Sequence, residues 1–125
     1  MMKDSQMHIL IVDDNEDILS MFKVMLEYNG YKVSVRVNSN NIKEVIKDVQ
    51  PNIIIMDMLL SGSDGCEICK ELKAEPLLAL IPVIMISAHP QAKTQCLQAG
   101  ADFFIEKPFE MNDFLQTLTH AVNNI

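Results

Sequence analysis

The sequence predicts a doubly wound α/β domain: a five-stranded parallel sheet sandwiched in a three-layer α/β/α arrangement. Three observations lead there. Short runs that are apolar on both faces alternate with amphipathic stretches, the connections are too short for anything but right-handed crossovers, and no repeat, linker or low-complexity segment interrupts the alternation. The 125 residues, 49% of them hydrophobic, are expected to form one domain over 1–125 with a core from about 8 to 122. A chain of this size buries roughly two thirds of its unfolded surface and needs no staple.

The first strand is HILIV, from His8 to Val12. Ile18, Phe22, Met25 and Leu26 then repeat at helical spacing, and Asn29-Gly30 closes the helix. Glu16 and Asp17 read as charges in its first turn, each contributing about 0.3 to 1 kcal/mol against the exposed N–H groups. KVSVRV at 32–37 is a weaker, β-branched second strand. Ile42, Val45, Ile46 and Val49 form the second helical face before Pro51, and NIIIM at 52–56 the third strand. Ile68, Cys69 and Leu72 mark a third helix before Pro76, and PVIMIS at 82–87 the fourth strand. Gln91 to Ala99, ended by Gly100, is a short fourth helix. DFFIE at 102–106 is the fifth strand, and Phe114, Leu115, Leu118 and Val122 mark the fifth helix.

Composition excludes several functions. Seventeen acidic against ten basic residues give a net charge of -7, which argues against direct binding to nucleic acid or anionic lipid. Proteins, cations, or small anions held by a cation are the expected partners. Cys66, Cys69 and Cys96 are too few and too odd in number for a disulfide framework, so a reducing, cytoplasmic setting is expected. The CxxC of Cys66 and Cys69 lies on an amphipathic helix and reads as partly buried structural thiols. The N-terminal MMKDSQMH lacks the apolar core of a signal peptide, and no apolar run approaches the roughly 18 residues of a membrane span.

Ligands of such sheets sit beyond the carboxyl ends of the strands, near the point where strand order reverses. Asp13 and Asp14 follow the first strand, Asp57 the third, Ser87 ends the fourth and Lys107 follows the fifth. Each has a bland reading: carboxylates cap helices, a lone serine satisfies a turn, and a lone lysine is a solvated charge. Capping does not explain Asp57, which is followed by apolar Met58, Leu59 and Leu60 with no helix start nearby. Carboxylates brought together repel unless a cation sits among them. With no histidine or thiolate partners in evidence, a hard cation with oxygen ligands fits, and a small open cluster suits Mg²⁺; calcium would want a DxDxDG loop that is absent. A carboxylate on Mg²⁺ beside an ammonium is placed to attack phosphorus, with Lys107 as fixed charge and Ser87 as hydrogen-bond partner. In Lys107-Pro108 the X-Pro bond can fix the lysine's direction, a cis peptide being one way to do so.

ILIVDDNED at 9–17, PNIIIMDMLLSGSDG at 51–65, PVIMISA at 82–88 and AGADFFIEKPF at 99–109 together resemble the response-regulator receiver domain of two-component phosphorelay signalling, from Ile9 to about Ala121. The resemblance implies a flavodoxin-like topology in which Asp57 accepts a phosphoryl group from a phosphohistidine on a sensor histidine kinase or phosphotransfer protein. It implies Asp14, Asp57 and the main-chain carbonyl of Leu59 as Mg²⁺ ligands, with Asp13 acting mainly through water. Ser87 and Lys107 would bind phosphoryl oxygens, Phe104 would be the aromatic switch residue, and Asp64-Gly65 the turn into the third helix. It further implies a downstream protein partner and allows a homodimer through the fourth helix, fifth strand and fifth helix. The chain departs from the family pattern at Ser61, where a proline is usual, and in the somewhat short segment from Ala88 to Ala99. Phe104 lacks the commoner tyrosine's hydroxyl, so a switch there works by packing. Leu59 and His89, two residues beyond Asp57 and Ser87, are expected to flank the path of an attacking water, whereas His8 and His120 have no evident partners.

The expected function is therefore a phosphorylation-dependent signalling switch rather than an enzyme with its own turnover. A Mg²⁺-dependent phosphatase with Asp57 as nucleophile is the alternative from the enzyme class, but its general acid would fall at Leu59. A flavin or nucleotide module would want a Gly- or Ser/Thr-rich cradle where carboxylates stand. A degenerate receiver acting only as an interaction module would have no need of all five site residues.

Overall fold

In the computed structural model, which describes residues 6–60, 62–89 and 91–123, the aliphatic runs form one parallel sheet. In chain order the strands are β1 (His8–Val12), β2 (Lys32–Arg36), β3 (Ile53–Asp57), β4 (Leu59–Leu60), β5 (Ser63–Asp64), β6 (Val83–Ser87) and β7 (Phe103–Glu106). The helices are α1 (Glu16–Tyr28), α2 (Ile42–Val49), α3 (Gly65–Lys73), α4 (Ala92–Gln98) and α5 (Met111–Asn123). The main sheet runs β2-β1-β3-β6-β7, all parallel. The five-stranded, doubly wound architecture read from the sequence is the one observed.

Alternation along each strand sorts the core into two layers. Leu10, Val12, Ile54, Met56, Val83 and Met85 face one side, where Ile42, Ile46, Cys69, Leu72 and Cys96 of α2, α3 and α4 cover them. Ile9, Ile11, Ile53, Ile55, Ile84 and Ile86 face the other, beneath Leu19, Phe22 and Leu26 of α1 and Phe114 and Leu118 of α5. Burying one such side chain contributes about 1.5 to 3 kcal/mol, so a strand aliphatic on both faces is stabilised only between two helical layers.

Strand ends differ from the sequence reading by a residue, for a physical reason. Asn52, Pro82 and Asp102 stand just before their strands. The Asn52 side chain accepts from the His8 N–H at 2.7 Å, Asp102 accepts from the Val83 N–H at 2.8 Å, and Pro82 has no N–H to give. At the other end β3 extends to include Asp57. The β4–β5 hairpin, pairing Leu59 with Asp64 and Leu60 with Ser63, was not anticipated. It turns through Gly62 at φ +75, a conformation glycine adopts without strain. Ser61, where similar domains carry proline, lies outside the described residues.

The two histidines expected to lack partners have them: His8 Nε2 lies 2.8 Å from Ser34 Oγ across β1 and β2, and the His120 ring packs edge-on against Phe103. Cys66 and Cys69, expected to be partly buried, are fully buried, as is Cys96, and the Cys66 and Cys96 sulfurs are in contact. Among the described residues no helix is long and apolar enough to cross a membrane.

Candidate functional site

Strand order reverses at β1, which has β2 on one side and β3 on the other. Val12 pairs with Met56, so the next residues, Asp13 and Asp57, come to the sheet edge side by side. Asp57 pairs with Ile86, which sets Ser87 one step beyond, and the Lys107 N–H continues the β6–β7 ladder onto the Ser87 carbonyl at 2.8 Å. Asp13, Asp57 and Ser87 are 2%, 8% and 2% exposed, and they are the buried polar or charged residues among those described. That all three collect at one edge of an otherwise aliphatic core marks the edge as a site, because burying such groups is costly unless they are satisfied.

Lys107 organises the charges. Its Nζ donates to Asp57 Oδ2 at 2.6 Å and lies 3.7 Å from Asp13 Oδ2. Burial alone would lower the lysine's pKa. The hydrogen bond to Asp57 and the charges of Asp57 and Asp13 more than offset it, so the ammonium is held above its ordinary range. Asp57 Oδ1 accepts from the Leu59 N–H at 2.9 Å, so both of its oxygens are engaged. Burial pushes the Asp13 carboxyl up, and the neighbouring Asp57 charge adds to this; the Asn15 N–H, donating to Asp13 Oδ1 at 2.9 Å, and Lys107 oppose it.

Ser87 Oγ accepts from the His89 N–H at 3.1 Å, which ties the hydroxyl to the loop leading to α4. Asp14 stands exposed at the mouth. Phe104, beside Met85 in the β6–β7 register, is half-buried against the layer formed with α2, α3 and α4. Leu59 is 56% exposed, and the Lys107–Pro108 peptide is cis. Beside Lys107 an apolar cleft of about 390 Å³ runs between Ile18 and Met21 of α1 and Ala88, Pro108, Phe109 and Met111.

Asn15, which the sequence reading passed over, and Gly65, placed there in the turn into the third helix, shape the site. Asn15, set among carboxylates equally able to cap, is the N-cap of α1: its side chain accepts from the Asp17 and Ile18 N–H groups at 2.9 and 3.1 Å. Glu16 and Asp17 are in the first turn, as expected. Gly65 opens α3 behind its N-cap Asp64 and donates its N–H to the Met58 carbonyl at 2.7 Å. A Cβ there would collide with the Asp57 carbonyl oxygen and come within 2.9 Å of Met58 Cα, so only glycine lets α3 approach the loop that carries Asp57.

Among the described residues no three histidine, cysteine or acidic side chains are gathered into a ready cage for a metal. The structure brings Asp13 to Asp57 and leaves Asp14 at the open edge. Oxygen donors in an incomplete, water-accessible set, around a buried carboxylate raised by burial and a like charge, fit Mg²⁺, which keeps several waters and takes few protein ligands.

Residues 9–119 match the family model of the response regulator receiver domain. The chain is 38% identical over 112 residues to the phosphate regulon transcriptional regulatory protein PhoB of Pseudomonas aeruginosa PAO1, covering 88% of this chain and 49% of that one. It spans about half the length of the curated relatives it matches. A putative response regulator from Chloroflexus aurantiacus superposes with TM-score 0.89 at 28% identity over 95% of this chain and 99% of that one. The receiver domain of the sensor histidine kinase PA1611 from Pseudomonas aeruginosa PAO1, solved with a magnesium ion in its active-site cleft, gives 0.85 at 25% identity over 95% and 99%. Since the family match runs from the first strand into the last helix and the fold agrees over the same span, this chain belongs to the response regulator receiver domains of two-component signalling.

Proposed function

We propose that this receiver is a phosphorylation-dependent switch of the cytoplasm, with Asp57 as phosphoacceptor and no catalytic turnover of its own. The observation that carries the reading is the Lys107 ammonium, 2.6 Å from Asp57 Oδ2 at the point where strand order reverses. A carboxylate oxygen of Asp57 attacks the phosphorus of a phosphohistidine on a sensor histidine kinase or phosphotransfer protein. The O–P bond forms as the N–P bond breaks, and the leaving imidazole keeps the electron pair. Lys107 then exchanges its carboxylate partner for a phosphoryl oxygen, which costs little because the two acceptors have the same charge sign. Mg²⁺, held by Asp14, Asp57 and the Leu59 carbonyl, with Asp13 acting through water, would supply neutralisation of the phosphoryl oxygens.

Ser87 turns its hydroxyl from the His89 N–H to the new acceptors, and Phe104 packs into the space released beside Met85. The face formed by α4, β7 and α5 thereby changes its population of states, for a downstream protein or a second copy of the chain to read. The apolar cleft along α1 beside Lys107 is where the donor protein rests. Leu59 and His89 flank the approach of water to the acyl phosphate and set its lifetime.

Incubating the protein with Mg²⁺ and a small acyl phosphate tests the reading. A single phosphoryl adduct by intact mass, lost in Asp57→Ala and on chelation, is expected. No adduct, or one that survives the substitution, overturns the assignment.

A further inference from the structure

Cys66 Sγ and Cys96 Sγ lie 3.1 Å apart, joining the first turn of α3 to α4. Both side chains are buried, at 3% and 0% exposure, yet Cys66 lies in the wall of a polar cleft of about 180 Å³ between the two helices, lined also by Glu67, Lys70, Gln95 and Gln98. The cleft is of a size and polarity to admit a molecule little larger than water. We propose that Cys66 and Cys96 are an oxidation site for a hydroperoxide such as hydrogen peroxide, and that the resulting disulfide fastens α3 to α4.

The two thiols have unequal roles. Burial raises both, but the hydrogen bond with Cys96 works against the rise at Cys66, whereas Cys96 is pushed up to about 12 by burial and by Cys66. Cys66, the thiol of the pair that lines the cleft, is therefore the attacking sulfur. Its thiolate attacks one peroxide oxygen. The O–O bond breaks, Cys66 becomes a sulfenic acid, and the departing hydroxide takes up a proton as water. Cys96 then attacks the Cys66 sulfur, the S–O bond breaks, and a second water leaves. Two thiols are oxidised by two electrons while the peroxide is reduced to water. The sulfurs close from 3.1 Å to about 2.05 Å as the bond forms.

The bridge would join two segments the switch moves. The first turn of α3 is bound to the phosphoacceptor loop through the Gly65 N–H on the Met58 carbonyl, and α4 follows the Ser87–His89 loop. That consequence rests on the proposed function, but the chemistry does not, so the test counts thiols and never uses phosphorylation.

The full chain is treated with hydrogen peroxide, cleared with catalase, denatured and alkylated with iodoacetamide. Alkylated thiols should fall from the three free cysteines of the untreated protein to Cys69 alone. A Cys66–Cys96 peptide that dithiothreitol reverses should appear. Cys69→Ala should still close the bridge, and Cys66→Ser and Cys96→Ser should each abolish it while circular dichroism shows them folded. The same treatment in urea, where native proximity is lost, should give mixed pairs rich in Cys66–Cys69. A native protein that pairs Cys69, that over-oxidises without any pair, or that keeps three thiols under conditions that oxidise the urea sample, overturns the proposal.

Discussion

Lys107 faces Asp57 at 2.6 Å and Asp13 at 3.7 Å, and among the described residues it is the cation paired with those two buried carboxylates. Removing the cation leaves them facing each other in a poorly solvated edge, a change that costs more than a surface pair because the charge left behind is uncompensated. Lys107→Met in chelator should lower stability by about 1 to 3 kcal/mol, read as a denaturation midpoint with an unchanged slope. Equal stability would mean that water, not Lys107, balances the pair. At this scale the site was legible in the residues themselves. Asp13, Asp57, Ser87 and Lys107 are polar groups ending apolar strands, and no local role explained Asp57. Asn15 was hidden because four of the five residues from Asp13 to Asp17 are carboxylates that cap as well as it does, and only the backbone at the strand exit chose among them.

Elements are coupled to the site at their ends. α3 starts where Gly65 lies against the Asp57 and Met58 backbone, and the obstructing atoms are main chain that cannot rotate aside. Gly65→Ala should therefore destabilise by about 1 to 3 kcal/mol, the usual cost of forced overpacking, although alanine is the better helix former. Thermal denaturation checks it, and a gain in stability would show that α3 can retreat from the loop. At the opposite end of the sheet His8 couples β1 to β2 through Ser34. Burial first, and the Lys32 charge second, lower its pKa below the ordinary histidine value of 6.5. With the folded pKa depressed, the folded state binds fewer protons than the unfolded one. Stability is thus complete above about pH 6.5 and declines as pH falls through that value and the lower folded one. The melting temperature of the wild type should drop across this window relative to His8→Gln, and parallel profiles would remove the coupling. Long elements were readable because a parallel strand covered on both faces must be aliphatic throughout. The β4–β5 hairpin was not, since two-residue strands carry no periodicity, and neither was the Cys66–Cys96 contact, which depends on how two helices pack across 30 residues of chain.

Over the whole molecule, the proposed switch requires a charge event at one edge to reach the surface that α4, β7 and α5 present. Phosphorylation adds about -1.5 to -2 charges to an edge whose cation is already committed to a carboxylate. Ser87 and Phe104 lie on adjacent strands, Ser87 abreast of Glu106 and Phe104 abreast of Met85, so a shift at Ser87 bears on a ring only half-buried against the helical layer. In the proposed switch this half-buried ring, unlike the fully buried Phe114 or Phe22, is the aromatic side chain with room to take up a second packing position. Truncation removes the second position without touching the phosphoryl site. Phe104→Ala should therefore still accept the phosphoryl group on Asp57, at a stability cost of about 1 to 3 kcal/mol. In amide NMR spectra its phosphorylation-dependent shifts should persist around Asp57 and Ser87 and collapse in α4 and α5. Shifts that spread to α4 and α5 as in the wild type would place the coupling in the Ser87–His89 loop instead of the aromatic ring.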